Sequence, residues 1–250
     1  MAIEERDPIV LIGADGRSRY IHAGEPFREG DSVLPTAGVV GKEPGSTVTL
    51  LGTEFTVARP VWSDALSAIS RGPQIILPDT AAHIVHLAGI SPGSRVVEGG
   101  TGTGCTTLVL AAHVGDAGHI DTYDLRQSST ELARSNLEMA GLDARVTFHD
   151  GDVSECDLAG ADAMVLDVPE PWGLLGSAAR VLRPGGYLVA YVPTTTQVER
   201  LMRSIGDGFA RPACRESIHR EWVLSRSDEG LRPAFSGPAH SGFLVASRRI

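Results

Sequence analysis

The spacing of apolar residues changes near residue 94, and the change divides the chain. Before it, short apolar and β-branched runs are separated by turn signals: PIVLIG, then Asp15-Gly16, then SRYIHA, a Gly/Pro-rich stretch, STVTLLG and EFTVA. These runs predict a small β-domain, a barrel or open sheet, over residues 1–59. Residues 60–70 and 79–89 carry helical spacing instead, with Asp79 placed as an N-cap and Gly89 as a stop. Together they predict a helical bridge over residues 60–92.

From residue 93 to residue 250, buried apolar runs alternate with helical segments, which is the mark of a parallel sheet covered on both faces. Strands are predicted at RVVEG, HIDTYD, RVTFH, AMVLD and YLVAYV. Between the second and third lies SSTELARSNLEMAG, where Ser128 and Glu131 have capping-box spacing and Gly141 follows the helix end. A further helix is predicted near residues 197–204. The last two runs, ESIHREWVLS and SGFLVAS, have no helix between them, which predicts an antiparallel hairpin at one sheet edge. The fold class read from this pattern is α/β: a doubly wound, mostly parallel sheet preceded by a small β-domain.

Composition narrows the picture. The chain has 250 residues, 42% of them hydrophobic, enough for one large core and a small appended module. It contains no run of about 18 apolar residues, and its first residues lack the basic-then-apolar order of a signal peptide, so a soluble cytoplasmic protein is expected with no membrane partner. Cys105, Cys156 and Cys214 are too few and too scattered to predict a disulfide framework or a zinc site. The net charge of -9 argues against binding nucleic acid by global attraction, so any RNA contact needs a local basic face or a second subunit. Lys42 is the one lysine among 22 basic residues, a bias that suits bidentate phosphate contacts but that a GC-rich genome explains more simply.

The candidate chemistry begins at RVVEGGTGTGCTT, a buried strand that runs through a glycine-rich turn into a helix. Glycine suits such a turn because the backbone bends sharply and approaches a ligand closely. The pattern is Glu98, Gly100, Gly102, Gly104; a dinucleotide fingerprint needs another glycine where Cys105 or Thr107 stands, which disfavours a nicotinamide cofactor. Asp124 ends the second strand, where a carboxylate can accept from both hydroxyls of a ribose. Glu98 is placed to face a cationic group across the loop, and Asp152, after the third strand, to accept from an adenine amine. Three carboxylates at neighbouring strand ends suit a ligand with a sulfonium and an ammonium, S-adenosyl-L-methionine, better than a diphosphate.

The fourth strand ends in AMVLDVPEPW. Asp167 therefore lies on the same sheet edge, and the prolines and Trp172 form a stiff wall suited to an extruded base. If that base is adenine, Asp167 can accept from its exocyclic amine and raise the electron density at N1. Cys105, just inside a helix start, reads as a small packing residue. His83 and His86 have one-turn spacing with no third ligand apparent, so no metal is expected.

With these residues in view, the chain resembles the class I tRNA (adenine-N1)-methyltransferases that act on adenine 58 of the T-loop, in their bacterial and archaeal form. The resemblance rests on RGPQIILPD, VVEGGTGTGCTT, VLDVPEPW, LRPGGYLVAYVPTTTQ and HSGFLVASR. It implies that Asp167 is the catalytic acceptor and a cofactor neighbour. It puts Thr103, Gly104, Cys105 and Thr106 against the methionine part, Asp124 on the ribose, Ser129 nearby and Asp152 at the adenine. On the substrate side it implies Gln74, Pro169 and Trp172. It also implies a homotetramer, which would build the RNA groove that one acidic subunit lacks; some archaeal members methylate adenine 57 as well. Asp124 stands where glutamate is common in the family, which shortens the reach to the ribose by one methylene. Two other readings share the loop architecture: a methyltransferase for a small precorrin-like molecule or a protein isoaspartate, and a catalytically silent subunit that positions RNA for a partner.

Overall fold

A computed structural model describes residues 1–69, 76–224, 230–234 and 242–250, and the chain forms two compact units, Met1–Ser70 and Arg71–Ile250. In the first, strands β1 (Pro8–Gly13), β2 (Ser18–His22), β3 (Phe27–Glu29), β4 (Ser32–Leu34), β5 (Thr47–Leu50) and β6 (Thr53–Ala58) precede helix α1 (Trp62–Ala68). The main sheet is antiparallel in the order β2-β1-β6-β5. Alternation along its strands places Ile9, Leu11, Ile21, Val48, Leu50, Phe55 and Val57 in one apolar cluster. The expected Asp15-Gly16 turn forms, with Gly16 at φ +77° and the Asp15 carboxylate accepting from Arg17 N at 3.0 Å. The hairpin of β3 and β4 lies in the Gly/Pro-rich stretch that the alternation rule left without structure. Helix α1 is shorter than its apolar spacing suggested; the Asp64 carboxylate caps it by accepting from Val61 N at 2.8 Å.

The second unit opens with α2 (Pro78–Ala88), then β7 (Arg95–Gly99), α3 (Cys105–Val114), β8 (His119–Asp124), α4 (Gln127–Met139), β9 (Val146–Asp150), β10 (Ala161–Leu166), α5 (Leu175–Val181), β11 (Leu182–Val192) and α6 (Thr195–Ser204). Four strands follow: β12 (Ala213–Glu216), β13 (Trp222–Leu224), β14 (Leu231–Pro233) and β15 (Phe243–Arg248). The seven-stranded sheet has the order β12-β15-β11-β10-β7-β8-β9. From β7 through β11 all pairings are parallel; β15 is antiparallel to both β11 and β12. Helix α3 is apolar almost all round and buried from Cys105 through Ala111, as a helix wedged between a sheet and α2 must be.

Three local expectations need correction. Pro78 rather than Asp79 opens α2, with Leu77 as the cap residue, because proline's fixed φ and missing N–H cost nothing in a first turn. Helix α4 begins at Gln127, so Ser128 is already helical and its capping box with Glu131 does not form; instead Asp124 Oδ1 accepts from Arg126 N at 2.9 Å and Gln127 Nε2 donates to Glu131 Oε1 at 2.9 Å. The edge partner of β15 is β12 at residues 213–216, whereas the run ESIHREWVLS contributes only Glu216 to it and Trp222–Leu224 to the separate pair with β14.

Candidate active site

The chain leaves β7 toward β8 and β9 on one side of the sheet and returns to β10 and β11 on the other. The carboxyl ends of β7 and β10 therefore flank the point where strand order reverses, the place where open α/β sheets receive ligands. At that point two backbones are tied together. Asp167 N donates to Gly99 O at 2.8 Å, and a Cβ built on Gly100, whose φ is +93°, would stand 2.1 Å from the Asp167 carbonyl oxygen. No side chain fits there, which is the physical requirement for glycine at 100. Gly102 and Gly104 also take left-handed φ, +55° and +79°, and a Cβ on Gly104 would press Ala133 of α4 at 2.9 Å. Gly100 N donates to Tyr123 O at 2.8 Å, fastening the loop to the end of β8.

Acidic side chains brace the loop. Asp124, buried at the end of β8, accepts from Gly102 N at 3.0 Å through Oδ2 and from Arg126 N through Oδ1, so its carboxylate fixes both the glycine loop and the start of α4. Oδ1 also receives Arg126 Nε at 3.5 Å, while Oδ2 retains a lone pair for a further donor. Glu98 is 1% exposed, and its Oε2 accepts from Thr107 Oγ1 at 2.6 Å and Thr122 Oγ1 at 2.7 Å. Thr122 has one hydroxyl hydrogen, and with that hydrogen given to Glu98, Thr101 must be the donor in the 2.7 Å Thr101–Thr122 bond. Loss of hydration pushes the Glu98 carboxyl up to about 7; the two threonine bonds oppose this, and the negative charges of Asp167 and Asp124 add to it.

Asp167 follows the last residue of β10 and is solvent-exposed. Even so, the protein around the rim strips part of its hydration, and this, with the charge of Asp124, pushes its carboxyl up to about 6. The segment after it is held from α6: Thr194 N-caps that helix, and Gln197 Nε2 donates to Pro169 O at 3.2 Å. Trp172, partly buried against the main core, carries the Arg200 guanidinium over its ring at 4.0 Å. Pro169 is exposed beside it.

The other sequence-derived candidates fall around this rim unevenly. Thr103, Cys105 and Thr106 are buried in the loop and the first turn of α3, with Thr103 O accepting from Asn136 Nδ2 at 2.8 Å and Cys105 Sγ donating to Ile76 O at 3.5 Å. Ser129 is half-buried in the first turn of α4. Asp152 caps the short turn Val153–Glu155 by accepting from Ser154 N at 2.8 Å, and the neighbouring Gly151 N donates to Asp124 O at 3.0 Å, so the loop after β9 is anchored on β8. Gln74 lies outside the described residues. His83 bonds Ser217 Oγ at 2.6 Å, and its ring faces His86 at 6.2 Å. Sequence reasoning missed Thr101, Thr107, Thr122, Asn136, Gln197 and Arg200, all of which act on the rim through partners at least nine positions away.

Residues 57–229 match the family model described as the tRNA methyltransferase complex GCD14 subunit. The chain is 34% identical over 248 residues to a tRNA (adenine(58)-N(1))-methyltransferase TrmI of Thermus thermophilus, an alignment covering 97% of this chain and 96% of that protein. Among solved structures it resembles a SAM-dependent O-methyltransferase of Thermotoga maritima, with a TM-score of 0.88, 27% identity and coverage of 100% of this chain and 95% of that one. It also resembles the tRNA (m1A58) methyltransferase TrmI of Aquifex aeolicus, with a TM-score of 0.81, 27% identity and coverage of 100% and 99%.

Proposed function

The chain belongs to the tRNA methyltransferase GCD14 family, and on that premise we propose that it transfers a methyl group from S-adenosyl-L-methionine to N1 of adenine 58 in tRNA. The observation that carries this reading is the fusion of the glycine loop with Asp167, through the Gly99–Asp167 hydrogen bond and the backbone contact at Gly100. A cofactor held by that loop and a substrate group held by that carboxylate are thereby brought to one rim.

The residues present fit the cofactor. Gly100 and Gly104 let the loop close against Asp167 and α4, Gly102, where an added Cβ would meet nothing within 4 Å, leaves its backbone open to a ligand, and the carboxylates suit the cationic centres of the cofactor. Glu98 and the loop residues Thr103, Gly104, Cys105 and Thr106 would hold the methionine part, Asp124 and Ser129 the ribose, and Asp152 the adenine. When bound, S-adenosyl-L-methionine supplies a methyl group already activated on a sulfonium. Asp167, when ionised, accepts a hydrogen bond from the exocyclic amine of the target adenine and raises electron density at N1. The hydrogen bond from Asp167 N to Gly99 O fixes the backbone from which that carboxylate projects, and alignment rather than proton transfer supplies most of the acceleration. Pro169 and Trp172 are read as the substrate side of the rim, and Gln74, outside the described residues, as a further substrate contact.

The finer reading is a cytoplasmic homotetramer, supported by the acidity of the single chain, which leaves RNA binding to a groove shared between subunits. Among the described residues no helix is long and apolar enough to cross a membrane. The resemblance to the Thermotoga O-methyltransferase favours a hydroxyl acceptor instead, and one experiment separates the two. Unmodified tRNA is incubated with protein and methyl-labelled cofactor, then digested for mass spectrometry. N1-methyladenine at position 58, alone or with 57, supports the proposal; 2′-O-methyl nucleosides or unlabelled RNA reject it.

A further inference from the structure

Helix α6 grips the segment that carries Asp167 at two successive turns of its surface. Gln197 binds the Pro169 carbonyl, and three residues on, Arg200 places its guanidinium Cζ over Trp172, 4.0 Å from the ring centroid. The indole packs in turn against the main core, so the arginine rests on a fixed platform. Its charge, by contrast, is poorly satisfied. Glu170 Oε1 lies 3.9 Å from Nη1, beyond hydrogen-bond reach, and the two side chains are 59% and 70% exposed, so water screens the pair. Among the described residues the guanidinium donates no hydrogen bond. Other arginines differ: Arg203, one turn along, donates twice to Glu199 at 2.8 and 2.9 Å, and Arg183, at the start of β11, donates to Asp162 at 2.7 Å.

A guanidinium held over an aromatic ring while its donors remain unspent is pre-organised for a tetrahedral oxyanion. We propose that Arg200 is a phosphate contact for the RNA strand, holding a backbone phosphodiester beside the target base while Trp172 holds Arg200. This rests on the reading of RNA as substrate and assigns Trp172 a supporting part instead of direct stacking. Glu170 acts as the weak counter-ion that the phosphate displaces. On a chain with a net charge of -9, one oriented cation held on the segment that follows the acceptor carboxylate compensates locally for repulsion between the acidic chain and the RNA backbone.

The test measures tRNA affinity at several salt concentrations with S-adenosylhomocysteine present to prevent turnover. Arg200→Gln is expected to weaken tRNA binding about three- to tenfold and to reduce the slope of log affinity against log salt by about one. It should raise KM for tRNA while leaving kcat at saturating tRNA and S-adenosylhomocysteine affinity within about twofold of wild type. Arg200→Lys should keep most of the slope, and Glu170→Gln should tighten binding. Unchanged affinity and slope in Arg200→Gln would overturn the proposal, as would a parallel fall in Tm and in S-adenosylhomocysteine affinity, which would mark the stack as purely structural. If wild-type protein neither binds nor methylates tRNA, the substrate reading fails first and this inference with it.

Discussion

The main chains of Gly100 and Asp167 touch so closely that a methyl group on the former would lie 2.1 Å from the carbonyl oxygen of the latter. Gly100→Ala must push two strand ends apart in addition to straining a φ of +93°, so stability should fall by at least about 1–2 kcal/mol. Cofactor affinity should fall with it. Calorimetry with S-adenosylhomocysteine and a thermal melt check both; an alanine variant that binds normally contradicts the geometry.

Asp167→Asn keeps the shape of the side chain and replaces one acceptor oxygen by a donor. The expected result is a kcat lower by about 10²–10⁴-fold with a melting temperature near that of wild type. Near-normal turnover on unmodified tRNA would remove Asp167 from the acceptor role.

The acidic limb of the rate profile carries its own signature. The Asp167 carboxyl, pushed up to about 6, must be ionised to accept from an amine, so kcat should fall as pH drops through about 6 and level off above it. Rates at saturating tRNA and cofactor across pH 5 to 8, about the working range of such carboxyls, measure this. A profile with no acidic limb would leave the carboxylate without its proposed task.

Glu98 links pH to stability in the less common direction. Burial holds its folded carboxyl near 7, above its value in an unfolded chain, so between those two values the folded state keeps the proton more tightly. Stability of the cofactor-free protein should therefore rise as pH is lowered from about 8 towards 5, until other carboxylates begin to protonate. Glu98→Gln, whose amide oxygen can still accept from Thr107 and Thr122, should flatten that slope. Melting curves at stepped pH decide it; an unchanged slope would mean that Glu98 does not titrate in this window.

Much of this rim was legible because each of its acids ends an apolar run. RVVEG, HIDTYD and AMVLD read as buried strands because apolar runs alternate with helical segments, and Glu98, Asp124 and Asp167 fall within one residue of their ends. The glycine loop was legible for the same local reason. What binds these parts together was not. The Thr101–Thr122–Glu98–Thr107 chain joins residues up to 24 positions apart that are ordinary threonines in sequence, and Arg200 meets Trp172 through a helix-to-loop contact that no local spacing announces. The capping box at Ser128 failed because Asp124 starts α4 earlier from the preceding strand. ESIHREWVLS is apolar enough to predict the edge strand, yet the antiparallel register of β15 selects residues 213–216.

The seating of β15 between β11 and β12 has a consequence for biosynthesis. Phe243 pairs with Val192 on one side and Glu216 on the other, so both neighbours emerge from the ribosome well before the strand that joins them. Until translation reaches residue 248, the nascent chain presents two bare strand margins, each able to recruit a foreign strand. Chains cut short before this segment should accumulate as aggregates even though every residue of the catalytic rim has already been made.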